Sequence, residues 1–213
     1  MNIGIIGSGA VGQQLAIDLV AHGHHVTIGT RDASKLAEFS AKNPAVKIGS
    51  NADAAKFGEM VMLATHWDGT QNAITLADPK NLEGKVIVDI TNPLDFSSGQ
   101  PALSIGFNTS AGEQVQAWLP NSHVVKALNS ITANAMLNPK SFIGGEPDMF
   151  IAGNDAAAKA SVQQFLEGVG WGIVDLGDIT KSRLIEPLAM IWITVGFNSG
   201  WKKVNHGFKM LNK

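Results

Sequence analysis

The chain has 213 residues, 45% of them hydrophobic and 16% charged, with a formal net charge of −2, which is typical of a globular domain and excludes an extended disordered chain. It contains no cysteine and no tyrosine. The first absence excludes disulfides, thiol nucleophiles, iron–sulfur clusters and the usual structural zinc sites, and the second excludes the Tyr-x-x-x-Lys acid of short-chain dehydrogenases. Because the lysines are scattered along the chain, we expect no nucleic-acid partner.

The sequence predicts neither a targeting signal nor a membrane span. No basic segment precedes the N-terminal apolar run, which a glycine interrupts, so we expect no signal peptide. The most apolar stretch, Leu184 to Phe197, is about 14 residues long and contains Glu186 and Pro187, whereas a bilayer crossing takes about 20 residues. We therefore expect a cytoplasmic protein without a membrane partner.

The first part of the chain carries the most informative pattern. The apolar run Asn2 to Ile6 predicts a strand and leads directly into a G-x-G-x-x-G loop, Gly7-Ser8-Gly9-Ala10-Val11-Gly12. From Val11 onward the apolar residues follow helical spacing. In dinucleotide-binding proteins the first glycine allows the turn, the second lets the backbone approach a pyrophosphate, and the third lets the helix pack on the sheet. The helix N-terminus also attracts phosphates, so this context predicts a dinucleotide site.

The predicted second strand, His25 to Gly29, indicates which dinucleotide binds. An NAD site usually has an acidic residue about 20 residues after the loop, whereas here Arg31 follows a neutral position. Arg31 matches a phosphate bidentately, and Lys35 adds a second charge one helical turn later; this favours NADP over NAD. Asp32 argues against that preference, but it precedes the predicted helix Ala33 to Lys42 and serves better as its N-cap.

Strands and helices alternate through the rest of the chain. We predict strands over residues 46–49, 61–64, 86–90, 123–128, 149–152 and 171–175. The predicted helices begin at an Asn51 cap, after the segment 65–69, at a capping box formed by Ser110 and Glu113, at Asp155, and in the tail from Thr180 with interruptions near Pro187 and residues 196–200. This order predicts a doubly wound, mainly parallel α/β sheet of the NAD(P)-binding Rossmann type.

Two parts of the chain need separate predictions. We assign residues 1–178 to the dinucleotide-binding domain and residues 179–213 to a short helical extension that forms a pocket wall or a dimer interface. The stretch from Leu94 to Thr109 shows little periodicity and is long for a connection without structure, which is typical of functional loops. We expect it to act as a lid.

The candidate pocket residues follow the remaining central strands, because ligands of such sheets lie beyond the carboxyl ends of the strands. These residues are Ala64, Thr65, His66, Trp67, Asn92, Pro93 and Asn129. Two interpretations stand for each side chain. His66 is an acid or base near neutral pH or packs against its loop. Asn92 and Asn129 bind a carboxamide or turn the chain, and Trp67 stacks on a ring or covers the core.

Two other clusters have simpler explanations. His22, His24 and His25 lie at the opposite end of the predicted sheet without acidic companions, so we interpret them as surface residues and predict no metal site. The aromatic residues Trp192 and Phe197, with Trp201, favour core or subunit-interface packing, and a planar ligand is the alternative.

Several segments resemble a known family, the NADPH-dependent reductases of the deazaflavin coenzyme F-420. The same domain occurs in the cytoplasmic part of the STEAP ferric reductases. The resemblance covers nearly the whole chain and rests on the segments GIIGSGAVG, GTRDASK, LATHWDG, VIVDITNPL, VVKALNSI, FIAGND and LGDITKSRLIEPLAMIWI. The chain departs from many members at His66, where proline is frequent.

The resemblance implies hydride transfer between NADP(H) and a deazaflavin or flavin such as FMN, in a homodimer built partly from the C-terminal helices. It implies that Ser8 to Val11 bind the pyrophosphate, and that Ala64 to His66 flank the nicotinamide. Asn92, Pro93 and Asn129 would border the pocket where hydride passes to the second ring, and the 2′-phosphate would be held by Thr30, Arg31 and Lys35. Positioning supplies much of the rate of such a reaction, so no catalytic side chain is required.

Two other functions are weighed against this one. Reduction of a small carbonyl compound or hydroxy acid normally needs a larger substrate domain and a proton donor, and the tail is too short for that. A non-catalytic NADPH sensor or regulatory subunit would bind the dinucleotide and use the tail to contact a partner. An enzyme leaves an open pocket beside the nicotinamide, whereas a sensor can bury that face.

Overall fold

The computed structural model describes residues 1–202 and 205–211 of the chain. Within them, eight strands form one sheet and two short strands form a separate hairpin. The strands, numbered in chain order, are β1 Asn2–Ile6, β2 His25–Gly29, β3 Val46–Gly49, β4 Met60–Leu63, β5 Val86–Asp89, β6 Leu94–Asp95, β7 Ala102–Leu103, β8 His123–Lys126, β9 Asp148–Gly153 and β10 Gly172–Asp175. The helices are α1 Ala10–Ala21, α2 Ala37–Lys42, α3 Asn51–Phe57, α4 Trp67–Ala77, α5 Ala111–Trp118, α6 Ala156–Val169 and α7 Ser182–Asn198.

The strand order of the large sheet is β10-β9-β8-β5-β4-β1-β2-β3. The chain moves outward from β1 to β3 on one side and from β4 onward on the other, so the strand order reverses beside β1. Ligands of doubly wound sheets bind at such a switch point. The prediction of a doubly wound, mainly parallel α/β sheet is therefore confirmed.

Helices cover both faces of the sheet, and each face has its own apolar core. On one face Leu15 and Leu19 of α1 and Val162 of α6 pack on the strands. On the other face Ile74 of α4 and Val115 of α5 do so, together with α3. The central strands are buried on both sides, which explains why they read as continuous apolar runs.

One pair of strands departs from the parallel arrangement. Strand β9 is antiparallel to β8, with Lys126 opposite Ala152, and β10 then pairs parallel with β9. Strands β9 and β10 therefore run opposite to the central strands, and the chain leaves β10 heading away from the edge of the sheet where the central strands end. Helix α7 runs back toward that edge, where it meets the end of β8. This reversal places a helix of the predicted extension beside the site.

Helix α7 passes through Pro187 without interruption, so the predicted break at that residue is wrong. Proline removes one backbone hydrogen bond, to the carbonyl four residues earlier. Pro187 is exposed, whereas Ile185, Ala189 and Ile193 bury the opposite face, and this packing holds the helix together. The rest of the predicted helical tail is not helical over residues 199–202 and 205–211, and residues 203, 204, 212 and 213 lie outside the described residues.

Three local predictions also need correction. Ser50 rather than Asn51 caps α3, since Ser50 and Asp53 form a capping box. The capping box predicted at Ser110 is replaced by another arrangement: Ser110 caps α5, but the Glu113 carboxylate accepts from the Ser110 hydroxyl. The stretch 94–109 contains the β6–β7 hairpin, which is anchored because Ser104 donates its backbone N–H to the Pro93 carbonyl at 2.7 Å.

Candidate functional site

The glycine loop joins β1 to α1 in the geometry that its sequence predicts. Gly7 has φ +126°, and a Cβ there would lie 2.3 Å from the Ala64 carbonyl oxygen on the neighbouring strand end. A Cβ on Gly12 would lie 2.0 Å from the Gly7 carbonyl oxygen. Both positions therefore require glycine, one for the turn and one for the close approach of the helix.

Gly9 differs from the other two glycines of the loop. It is exposed, it precedes the first residue of α1, and a Cβ there would meet nothing within 4 Å. The first intrahelical bond is donated by Gln13 to the Gly9 carbonyl, so the amides before Gln13 have no intrahelical acceptor. An open approach to unpaired amides at a helix N-terminus fits a pyrophosphate.

The end of β2 is tied to this loop. The Ser8 hydroxyl donates to the Thr30 hydroxyl at 3.0 Å, and the Gln13 side-chain amide donates to the Ser8 carbonyl at 2.9 Å. These bonds hold the predicted pyrophosphate segment against the predicted 2′-phosphate segment. The structure thus brings the two predicted phosphate-binding segments together.

The charges beyond Thr30 suit a phosphate. Asp32 turns its carboxylate to Ser34, accepting from the Ser34 N–H at 3.0 Å and from its hydroxyl at 2.6 Å, and these bonds lower the pKa of Asp32. The predicted capping role of Asp32 is confirmed. Arg31 and Lys35 are exposed and form no hydrogen bond or ion pair with any residue in the described ranges, which leaves two cations at the end of β2.

Residues at the end of β4 turn the chain into α4. Ala64 and Thr65 are partly buried, and His66 is exposed at the N-cap position without a side-chain capping bond. The Thr65 hydroxyl contacts the Thr70 hydroxyl at 2.8 Å. Trp67 stacks on Trp118 of α5 at a centroid distance of 5.5 Å. The structure therefore shows Trp67 packed between α4 and α5.

The two predicted asparagines meet at the ends of β5 and β8. The Asn92 side-chain amide donates to the Asn129 carbonyl at 2.7 Å, and the Asn129 side-chain amide donates to Asn92 Oδ1 at 3.0 Å. Asn129 also donates to the Ile185 carbonyl of α7 at 3.4 Å. Only 3% of Asn129 is exposed, and its Oδ1 has no hydrogen-bond partner among the described residues.

A strained residue precedes Asn129. Leu128 is fully buried with φ +61°, a conformation that costs a non-glycine residue roughly 1–2 kcal/mol. This turn ends β8 at Lys126, two residues before the predicted end. Backbone strain of this kind is concentrated at functional sites.

Charged residues that the sequence analysis did not assign lie next to the two asparagines. Lys126 Nζ lies 3.0 Å from Asp89 Oδ2 and 3.1 Å from Glu186 Oε1, and all three side chains are buried. A sequence signal was present, because each of these charges interrupts an apolar run and buried charges are normally paired. The sequence alone did not reveal which partners they choose.

The two other predicted clusters form contacts of their own. His22 bonds the Leu137 carbonyl through Nε2 at 3.1 Å, and His24 packs on Phe165. Residues Trp192 and Phe197 both contact Trp201, at centroid distances of 6.5 Å.

No group of three metal-ligating side chains occurs in residues 1–202 and 205–211. No helix in these ranges has the length and hydropathy that a membrane crossing needs.

The glycine loop at the switch point, the unpaired cations and the asparagine pair define a dinucleotide-binding protein of the Rossmann type. The family described as NADP oxidoreductase, coenzyme F420-dependent, matches residues 2–93. A solved structure of a candidate F420-dependent NADP-reductase from Arthrobacter sp. FB24 is 41% identical, with a TM-score of 0.93 and full coverage of both chains. The chain belongs to this family of NADP-linked oxidoreductases.

Two curated relatives differ in length. The F420-dependent NADP reductase of Methanothermobacter marburgensis is 28% identical over 100% of this chain and 99% of its own. The rat metalloreductase STEAP3 is 28% identical over 88% of this chain but only 36% of its own length. The chain thus spans little more than a third of the metalloreductase.

Proposed function

We propose that the protein transfers hydride between NADP(H) and a deazaflavin acceptor of the coenzyme F-420 type. The observation that carries this proposal is a cavity of about 490 Å³ at the surface, between the start of α7 and the segment that follows β7. It is lined by Phe107, Thr180, Lys181, Arg183, Leu184 and Pro187. A sensor that buries the nicotinamide face needs no such cavity, whereas an enzyme needs room for a second ring.

Two covalent connections link the lining of the cavity to residues that bond the proposed nicotinamide pocket. Leu184 directly precedes Ile185, whose carbonyl accepts from Asn129. Phe107 lies three residues after Ser104, whose N–H bonds the Pro93 carbonyl. Phe107 is 99% exposed and has φ +63°. An aromatic ring in a strained and fully exposed position suits a surface that stacks on a planar acceptor.

The same proposal gives each predicted site residue a role. Ser8 to Val11, with the flanking glycines Gly7 and Gly12, hold the pyrophosphate, while Ala64 and Thr65 flank the nicotinamide. The 2′-phosphate is bound by Thr30, Arg31 and Lys35. The unpartnered Oδ1 of Asn129 accepts from the carboxamide, and the residues that border the hydride path are His66, Asn92 and Pro93.

The arrangement requires positioning rather than acid–base chemistry. NADPH supplies a hydride from its nicotinamide ring when it is bound. The protein must then hold two ring faces in contact, and well-oriented reactants gain a large rate advantage from proximity alone. His66, the one histidine among the site residues, is exposed. We assign it no proton transfer.

We also propose that the protein is a cytoplasmic homodimer that uses an exposed apolar face of α7. Ile191 is 57% exposed and Val195 is 43% exposed, and these residues lie four positions apart on the same face of α7. A regular apolar stripe on a helix is normally covered by another element. A second copy of the chain suits this face because the stripe is nearly free of charges.

The test of the proposed function is anaerobic mixing of the protein and NADPH with a deazaflavin and, separately, with FMN. Loss of the reduced-nicotinamide absorbance is followed, with NADH and an Arg31→Ala variant as controls. We expect turnover with the deazaflavin that falls sharply for NADH and for Arg31→Ala. Turnover with FMN alone would replace the proposed acceptor, and tight NADPH binding without turnover on either ring would favour the sensor function.

A further inference from the structure

Three ionisable side chains lie buried directly beneath the asparagine pair. Lys126 and Asp89 are 0% exposed, and Glu186 is 1% exposed. A buried ion pair is weak support for stability by itself, because removing the charges from water offsets much of their attraction. Such a group therefore calls for an explanation beyond packing.

Every polar atom of this network has a partner. Lys126 Nζ donates to Asp89 Oδ2 at 3.0 Å, to the Thr91 carbonyl at 2.6 Å and contacts Glu186 Oε1 at 3.1 Å. Asp89 Oδ1 accepts from the Thr91 N–H and hydroxyl at 2.9 and 2.7 Å. A fully satisfied buried network rigidifies the elements that it joins.

Glu186 extends the network to another helix. Its two carboxylate oxygens accept from the N–H groups of Ala111 and Gly112, each at 3.0 Å. These amides open α5, where a negative charge is stabilised by the helix dipole. Burial lowers the pKa of Lys126, but Asp89 and Glu186 outweigh that effect and the net direction is upward. Lys126 therefore stays protonated between its two carboxylates.

The ionic network and the asparagine pair join the same three parts of the chain. Asp89 and Asn92 lie three residues apart at the end of β5, and Lys126 and Asn129 lie three residues apart at the end of β8. On α7, Glu186 binds the lysine and the adjacent Ile185 carbonyl binds Asn129. The two layers are therefore stacked, with the ions below and the amides above.

The segments between the two layers are constrained. Lys126 bonds the carbonyl of Thr91, the residue immediately before Asn92. Leu128, immediately before Asn129, keeps its left-handed conformation while buried. A strained backbone persists only where its surroundings fix it. The ionic layer fixes the end of β5 through Thr91, and at the end of β8 the Leu128 N–H donates to Met149 Sδ at 3.2 Å.

We propose that Lys126 is a positioning residue: by binding Asp89, the Thr91 carbonyl and Glu186, it fixes the Asn92–Asn129 pair against α7. It thereby leaves the buried Asn129 Oδ1 without a protein donor, so that this oxygen can accept from the nicotinamide carboxamide. This inference rests on the proposed placement of the nicotinamide at Asn129. It predicts that Lys126 acts on the nicotinamide half of the cofactor alone, since the glycine loop and Arg31 lie on other strand ends.

Two ligands separate positioning from a general structural role. NADPH occupies both halves of the site, whereas 2′,5′-ADP carries the adenosine part and the 2′-phosphate without a nicotinamide. Dissociation constants for both are measured on the full chain by calorimetry for wild type, Lys126→Met, Asn129→Ala and the double variant. Glu186→Gln is measured in parallel because it retains the Lys126–Asp89 pair if Lys126→Met fails to fold.

We expect Lys126→Met and Asn129→Ala each to weaken NADPH binding about 10-fold, a change of about 1.4 kcal/mol, with 2′,5′-ADP binding unchanged. The double variant should bind NADPH no more weakly than Asn129→Ala, because coupled residues are not additive. Glu186→Gln should show the same selectivity for NADPH with a smaller change.

Four results would overturn the inference. Equal weakening of both ligands would make Lys126 a purely structural residue. If the losses of NADPH affinity in the two single variants multiply in the double variant, Lys126 does not act through Asn129. Unchanged NADPH binding in Asn129→Ala would remove the proposed nicotinamide placement and this inference with it, whereas a loss confined to Asn129→Ala would overturn the role of Lys126 alone.

Discussion

Asn92 and Asn129 hold each other by two opposed hydrogen bonds, one to a main-chain carbonyl at 2.7 Å and one to a side-chain oxygen at 3.0 Å. Each asparagine follows a different strand, so the pair closes the gap between the ends of β5 and β8. The amide orientation of Asn129 follows from these bonds, and it leaves Oδ1 as the free acceptor. The proposed nicotinamide half of the site thus depends on a contact between two residues 37 positions apart.

Replacing Asn92 by alanine should release Asn129 without removing it. We expect kcat/KM for NADPH to fall about 5-fold, since a lost hydrogen bond of this kind contributes about 1 kcal/mol. The measurement is steady-state turnover with the deazaflavin acceptor. Asn121→Ala is the matched control, because its amide bonds Glu83 at an exposed site. A fall of equal size in the control would contradict the assigned role.

Gly9 should be required for the ligand and not for the fold. A Cβ at Gly9 meets nothing within 4 Å, and its φ of −73° is ordinary, so Gly9→Ala should melt within a few degrees of wild type. It should nevertheless bind NADPH at least about 10-fold more weakly, because the methyl group occupies the approach of the pyrophosphate. Gly168→Ala on α6, also unobstructed, should bind normally and gain roughly 0.5–1 kcal/mol of stability. Unchanged NADPH binding in Gly9→Ala would contradict the predicted pyrophosphate position.

Arg31 should set the preference for NADPH over NADH. Arg31→Ala removes a charge-assisted contact to the 2′-phosphate, so we expect NADPH binding to weaken about 10- to 100-fold and NADH binding to stay the same. Titration with each dinucleotide measures the ratio. Lys42→Ala is the control, because Lys42 pairs with Glu38 on the adjacent exposed surface. Equal losses for both dinucleotides would place the 2′-phosphate elsewhere.

Acid should loosen the link between α5 and α7. The Glu113 carboxylate accepts from Arg183 Nε at 2.8 Å and Nη2 at 2.5 Å, and this pairing lowers the pKa of Glu113 from its usual 4.5. A group with a depressed folded pKa stabilises above its unfolded pKa, and the contribution is lost as the pH falls through the folded value. Arg183→Met should therefore be less stable than wild type near neutral pH.

Urea unfolding at about pH 7 and at about pH 3 measures this effect. We expect the stability difference between wild type and Arg183→Met to shrink at the lower pH. Glu113→Gln should remove most of the pH dependence of that difference. A difference that is constant with pH would mean that Arg183 acts through packing.

The apolar face of α7 should determine the oligomeric state. Ile191→Asp places a charge in the proposed dimer interface, so we expect a monomer by light scattering at a concentration where wild type is a dimer. Leu76→Asp is the matched control, since Leu76 is similarly exposed on α4. A monomeric wild type, or a dimer that persists in Ile191→Asp, would overturn the proposed interface.

Local patterns predicted the half of the site that is built from neighbouring residues. The glycine loop, the strand before it and the Asp32 cap depend on residues within a few positions of one another. Sterics at Gly7 and Gly12 leave few alternatives once a strand must turn into a helix. The Rossmann fold was also predictable, because the alternation of strands and helices shows in the local spacing of apolar residues.

Long-range choices were not predictable from those patterns. The partners of Lys126 come from positions 89, 91 and 186, and no local rule selects them. Strand β9 pairs antiparallel with β8, with Lys126 opposite Ala152, and no local pattern fixes that direction. Pro187 failed as a helix breaker because tertiary packing of the opposite face outweighed the lost backbone bond.

The stacked pair Trp67 and Trp118 gives the protein an internal optical reporter. The sequence has five tryptophans and no tyrosine, so its intrinsic fluorescence has a single type of emitter. Trp67 follows His66 directly, at the strand end where the nicotinamide is proposed to lie. Because reduced nicotinamide absorbs where tryptophan emits, occupancy by NADPH should quench this emission through energy transfer, and NADP⁺, which lacks that absorbance, should quench it far less. The redox state of the bound cofactor is then readable without any added dye.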